Sequence, residues 1–185
     1  MKNRTLWIVL AVVALILISG VSMYNGMVST NEAIDSKWSQ VENQLQRRSD
    51  LIPNLVATTK GYAAQEKEIF TQVAEARSKL AGANTVGEKA QADAELSGAL
   101  SRLLVVVERY PELKSDANFR QLADELAGTE NRLAVARKDY NDAVQAYNTR
   151  IKRFPSNMMA NMFGFTAREY FKAADGTQEV PQVQF

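Results

Sequence analysis

Residues 34–80 read IDSKWSQVENQLQRRSDLIPNLVATTKGYAAQEKEIFTQVAEARSKL, and the spacing of their apolar side chains decides the fold class. A seam passes through Ile34, Trp38, Val41, Leu45, Arg48, Ile52, Leu55, Thr59, Tyr62, Glu66, Ile69, Val73, Ala76 and Leu80. Its steps alternate four and three without a slip, which keeps one face of a helix turned toward a neighbour. Pro53 lies inside the stretch, where it removes a donor and presses on the preceding turn. Because the seam keeps phase across Pro53, the spacing predicts one long helix, bent there, from about Ser29 to Gly82. Ser29 and Glu32 have capping-box spacing, which suits a helix start or restart. The GANTVG of residues 82–87 is read as the turn that ends it.

Downstream, a second seam runs through Ala92, Leu96, Ala99, Leu103, Val106 and Tyr110, and Pro111 stops it. Asp116 suits the N-cap of a third helix, with seam Phe119, Leu122, Leu126, Thr129, Leu133, Ala136, Tyr140, Val144, Tyr147, Ile151 and Phe154. Pro155 ends that helix, and Ser156 or Asn157 can cap a short fourth one reaching about Ala174. Amphipathic helices on short links pack as antiparallel neighbours, so the prediction is all-α: an up-and-down four-helix bundle with a long first helix. The last residues, 175–185, are polar apart from Val180, Val183 and Phe185, and are read as an extended tail.

Upstream, no charged side chain occurs from Thr5 to Asn31. Leu6 to Met23 reads LWIVLAVVALILISGVSM, and at the standard rise it makes roughly 27 Å of helix, close to the hydrocarbon thickness of a bilayer. Trp7 and Tyr24 bracket the run, as interfacial aromatics do. A core helix of a soluble protein would carry a polar stripe, and none is present. A cleaved signal sequence shares the basic start and apolar middle, but no A-x-A follows Ile18 and there is no Cys for lipoprotein processing. An uncleaved anchor is therefore expected. Lys2 and Arg4 lie on the short side, while Glu32, Asp35 and Lys37 follow on the long side, so the N-terminus is expected in the cytoplasm and the domain outside. The organisation expected is a short cytoplasmic segment over 1–5, a transmembrane helix over 6–24, a helical bundle over 28–174 and the tail.

The chain has no His and no Cys, so the commonest general base, the commonest transition-metal ligand and all thiol chemistry are missing. A bundle di-iron site needs Glu-x-x-His and cannot be built. No phosphate-binding loop, dinucleotide fingerprint or calcium loop occurs. Neither an enzyme nor a cofactor or metal site is expected. Beyond the anchor 20 basic side chains face 21 acidic ones, which gives no electrostatic footprint for nucleic acid.

Several constellations stand out as interaction candidates. Arg48 and Glu66 occupy seam positions, where a charge needs a partner on a facing helix or a route to water. Arg47, Arg48, Asp50, Pro53 and Asn54 gather charge, a bend and an amide, and side chains here could satisfy carbonyls freed by the proline. The cluster reads as reinforcement of a bent helix or as a contact site. Tyr140-Asn141 and Tyr147-Asn148 recur seven apart on one face, where Asn can bond across a seam and fix helix packing. Met158, Met159, Met162 and Phe163 read as core of the short helix, or as an adhesive surface for partner helices or lipid.

The chain also resembles the LemA family of bacterial membrane proteins. The resemblance rests on Tyr24-Asn25 after the anchor, Trp38, QLQRRSDLIPNLV from Gln44 to Val56, Gly61-Tyr62, Ala76-Arg77, Tyr110-Pro111-x-Leu113-Lys114 and Thr129-Glu130-Asn131. It continues through Ala136-Arg137-x-x-Tyr140-Asn141, Tyr147-Asn148, Phe154-Pro155, Gly164-Phe165, Tyr170-Phe171 and the closing Pro181-x-Val183-x-Phe185. It implies a single-pass anchor in the bacterial plasma (inner) membrane and a four-helix bundle, and supplies no activity.

The function expected is a structural scaffold of the envelope, in contact with membrane lipid and self-associating as a homo-oligomer. A first helix of about 54 residues would outrun its neighbours, leaving seam for a second copy to cover, together with Met158, Met159, Met162 and Phe163. The alternative is a binding or sensory module that recognises a peptide or another envelope component.

Overall fold

The computed structural model describes residues 2–172. Among these the chain forms six helices: α1 (Lys2–Tyr62), α2 (Lys67–Gly82), α3 (Val86–Val107), α4 (Pro111–Ser115), α5 (Ala117–Lys152) and α6 (Ser156–Phe163). The fold is all-α. The tail expected at 175–185 lies outside the described residues. Contacts divide the chain into two compact units. One holds the chain up to Trp38 with Asp139–Arg168, and the other holds Ser39–Lys138 with the residues from Glu169 onward. Both α1 and α5 contribute to each.

The second unit is an up-and-down four-helix bundle of distal α1, α2, α3 and the start of α5. Antiparallel order is read from the ties between neighbours. Arg77 of α2 reaches Ser49 of α1, and Lys79 of α2 pairs with Glu95 of α3. Arg102 of α3 reaches back to Gln72, and Arg132 of α5 reaches Gln44. The predicted long helix therefore supplies two of the four. It runs through Pro53 as expected but does not continue to Gly82; it ends at Tyr62, and residues 63–66 reverse the chain. The seam is buried from Ile34 to Thr59 except at half-buried Trp38, then shifts: Tyr62 is exposed, Ala63 is buried in its place, and α2 buries Phe70, Val73, Ala76 and Leu80. The in-phase positions Glu66 and Ile69 are only half-buried. Apolar period alone cannot mark this reversal, because the two helices meet at a spacing that mimics continuity.

Other boundaries also moved. Ser29 starts nothing, since α1 is continuous there and the Thr30 hydroxyl donates to the carbonyl of Gly26, one turn back. Proline at a first helical position is preorganised rather than disruptive. Thus Pro111 opens the short α4, whereas α3 has already ended at Val107. α3 begins with a capping box in which Thr85 and Glu88 satisfy each other's backbone N–H groups. Asp116 accepts from the Phe119 N–H at 2.8 Å, the predicted cap of α5. α6 has Pro155 at its N-cap rather than Ser156 or Asn157, and it stops at Phe163 rather than near Ala174. The stop is Gly164, whose φ of 75° is the left-handed conformation that glycine adopts without strain.

In the first unit, α1 carries the apolar run. It is long and apolar enough to cross a membrane, and none of that window is buried by the rest of the chain. Leu6, Ile8, Leu15, Leu17 and Ile18 all stand exposed. This distinguishes it from a core helix, and the chain is a membrane-associated protein.

Candidate functional site

A buried charge cluster occupies the bundle unit. Arg48 is on the buried face of α1 and only 4% exposed; Asp93, on α3, is 2% exposed. Arg48 Nη1 donates to Asp93 Oδ1 at 2.7 Å and lies 2.8 Å from Glu130 Oε2 of α5. Arg137, also on α5, pairs with the other Asp93 oxygen and sits 3.9 Å from Glu130 Oε1. Its guanidinium lies 5.0 Å from the centroid of the Phe171 ring. Two guanidiniums thus meet two carboxylates, so three helices share a cluster whose charges balance. Burial pushes the Asp93 carboxyl above its ordinary value, with Arg137 and then Arg48 pulling it down. Desolvation is therefore the stronger influence on Asp93, as expected for ions held out of water.

Next to this cluster is a proline notch. Pro53 has no N–H for the carbonyl of Ser49, one turn back. Arg77 of α2 fills the gap: its Nε donates to the Ser49 oxygen at 2.9 Å. The sequence suggested that a side chain would satisfy a freed carbonyl, and one does, but from the neighbouring helix rather than from Arg47, Arg48 or Asn54. Arg47 is exposed, 3.9 Å from Glu125. Asp50 faces water and accepts from Gln46. Pro53 and Asn54 are exposed as well. Of that predicted group only Arg48 enters the cluster. Glu66, the other charged seam residue, has the expected partners, Arg109 and the Tyr110 hydroxyl, each at 3.1 Å.

Asp93 was not singled out from the sequence, although a signal existed. Asp93, Leu96, Leu100, Leu103 and Val107 form a second four-three seam beside the one read on α3, and all are buried.

The remaining candidates lie in the first unit. Trp38 packs on buried Tyr140 with ring centroids 5.2 Å apart. Asn141 is half-buried and Tyr147 is buried; burial raises the Tyr147 phenol above its usual value, with Arg168 opposing. Asn148 does not set the register between two helices. Its amide clips the backbone at Arg168 instead, donating to the Arg168 carbonyl at 2.9 Å and accepting the Arg168 N–H at 2.8 Å. The Arg168 side chain then pairs with Asp35 of α1. Met162 and Phe163 are not core: both are exposed on α6, and the Phe163 ring meets Tyr24 at 4.9 Å. Among the described residues no group of three or more acidic side chains is placed to hold a metal ion.

Residues 37–185 match the sequence profile of the LemA family. The chain is 34% identical to magnetosome protein MamQ 2 of Paramagnetospirillum magneticum, over 80% of this chain and 64% of that protein. It is 30% identical to magnetosome protein MamQ of Magnetospirillum gryphiswaldense, over 86% and 70%, and 24% identical to protein LemA of Metamycoplasma hominis, over 82% and 69%. The chain thus spans about 64% of the length of the Paramagnetospirillum relative.

Proposed function

Since the chain belongs to the LemA family, we propose that it is a membrane-anchored helical scaffold of the bacterial envelope that associates with further copies of itself. The observation that carries this reading is the buried charge cluster. Arg48, Arg137, Asp93 and Glu130 use their charges on one another, tying α1, α3 and α5 into one framework. With no His and no Cys, a catalytic role is not part of the proposal.

The uncovered seam that motivated self-association from the sequence is gone, because α2 folds back and the seam of α1 from Ile34 to Thr59 is buried at every position but half-buried Trp38. The surface available to a second copy in the bundle unit is the exposed Leu104 and Val105 of α3 and Val135 of α5. Confinement by the anchor raises the effective concentration of such copies. We place the N-terminus in the cytoplasm and the bundle outside the plasma membrane, on the charge bias around α1. Protease added to intact spheroplasts tests that placement. Digestion of the bundle is expected, and protection until lysis would reverse it.

One observation favours a second reading, a module that binds a peptide or envelope component. An open groove of about 740 Å³ beside α2 is lined by Lys60, Lys67, Phe70 and Ala74. Lys60 stands over the Phe70 ring. Charge reversal at Lys60 and Lys67 would abolish capture of such a ligand while leaving the assembly size unchanged.

A further inference from the structure

α6 ends with its apolar side chains facing outward. Met158 and Met162, one turn apart, are 64% and 69% exposed, and Phe154 just before the helix is 80% exposed. Ala160, on the opposite side, is buried. A short helix that turns Met158 and Met162 away from the protein needs something apolar to cover them.

The position of α6 along α1 identifies that cover. Phe163 and Phe165 pack edge-on against Tyr24, with ring centroids 4.9 and 5.6 Å away. The Met159 methyl lies 3.7 Å from where a Cβ on Gly20 would be. Gly20 and Tyr24 form the last turn of the apolar run, so α6 sits level with the place where the span reaches the headgroups. Just before it, Lys152 ends α5 and Arg153 follows in the link, both exposed, whereas the Arg150 guanidinium lies against Gly26 of α1. Among the described residues neither Lys152 nor Arg153 is paired with a carboxylate. Apolar side chains on one arc beside two exposed cations fit a helix lying in the membrane interface.

Resting on the reading of α1 as a membrane span, we propose that α6 lies in the surface of the same bilayer, with Phe154, Met158 and Met162 among the upper acyl chains and Lys152 and Arg153 on anionic phospholipid headgroups. The exposed face of α6 is continuous with the lipid-facing surface of the anchor, and it rules the level at which the first unit meets the membrane. This assigns Met162 to lipid rather than to a second copy.

The natural absence of Cys makes the test direct. Single cysteines replace Met158, Met162, Leu15 in the span, or exposed Ser36, which lies twelve residues beyond Tyr24 and about 18 Å further along the helix. Each full-length variant is spin-labelled and reconstituted in phosphatidylcholine vesicles with and without phosphatidylglycerol. Collision with oxygen, relative to a water-soluble nickel complex, reports depth. At positions 158 and 162 the ratio should lie below that at 15, which is near mid-span, and several-fold above that at 36. It should rise further with phosphatidylglycerol, and Lys152→Gln with Arg153→Gln should remove that increment. A watery ratio at 158 and 162 with a lipid ratio at 15 overturns the proposal and leaves the anchor standing. A watery ratio at 15 overturns the anchor itself. Labels at 158 and 162 shielded from both reagents would show a protein partner, and equal depth in the two lipids would remove the headgroup contact; either result counts against the proposal.

Discussion

Replacing Asp93 by Ala removes the carboxylate that joins two guanidiniums, and the structure sets the size of the effect. Breaking a buried pair by deleting one partner costs about 3–5 kcal/mol, because the other charge stays behind uncompensated. Here Arg48 keeps Glu130 at 2.8 Å, and the Glu130 and Arg137 side chains are each partly open to water, at 41% and 24% exposed. We expect a loss near the lower end, about 3 kcal/mol. For a chain of this length that corresponds to a fall in Tm of roughly 6–12 °C. The assay is thermal melting of full-length protein in mild detergent, followed by far-UV circular dichroism. Because burial raises the Asp93 carboxyl, the cluster gains little net stability from its charges; it is costly to break and cheap to replace. Arg48→Met combined with Asp93→Leu should therefore recover most of the loss. A fall in Tm under about 2 °C for Asp93→Ala would show that the charge is solvated in solution and would refute the reasoning. So would a double variant whose cost equals the sum of its singles.

Three further outcomes follow from individual contacts. Arg77→Met leaves the Ser49 carbonyl without a donor and should cost about 1–3 kcal/mol in the same melt, whereas Pro53→Ala restores the missing N–H and should make Arg77→Met cheaper. Asn148→Ala removes both hydrogen bonds to Arg168, so trypsin should cut after Arg168 several-fold faster, while cleavage at Arg102 on α3 is unchanged. Asp116 is held below the ordinary carboxylate value, first by the Phe119 N–H, with desolvation opposing and the Tyr62 hydroxyl adding to the depression. A depressed folded value means that its stabilisation is complete above the unfolded value and is lost as pH falls through the folded one. Asp116→Asn should flatten the acid limb of stability against pH, which denaturant titration at a series of pH values measures.

Much of this architecture was legible because helical period is a strong signal where a seam is long. The predicted α5 seam is buried from Phe119 to Ile151 except at half-buried Leu122, its last member Phe154 is exposed, and the charges of Arg48 and Glu66 in a seam imply the partners both have. The reversal at residues 63–66 was not legible for a local reason: α2 has no side-chain cap and no proline at its start, so nothing announces it. The Thr85 to Glu88 capping box did announce α3, inside a stretch read only as a turn. Pro111 in sequence fits a helix stop and a first helical position equally, and the structure uses the second. Arg77 and Asp93 were harder, because their roles depend on helices far apart in sequence. An arginine that answers a proline on another helix has no local signature. The apolar face of α6 was noticed in sequence as Met158, Met159, Met162 and Phe163. Only its level beside Tyr24 separates lipid from protein as its cover.

A scaffold of this kind requires the chain to associate with itself at the membrane. Light scattering reads this from the full-length protein in mild detergent at micromolar concentration, beside a chain beginning at Ser29. The full-length protein should have the mass of several chains, and the mass should fall when the anchor is removed. A monomer at micromolar concentration with the anchor in place would rule self-association out.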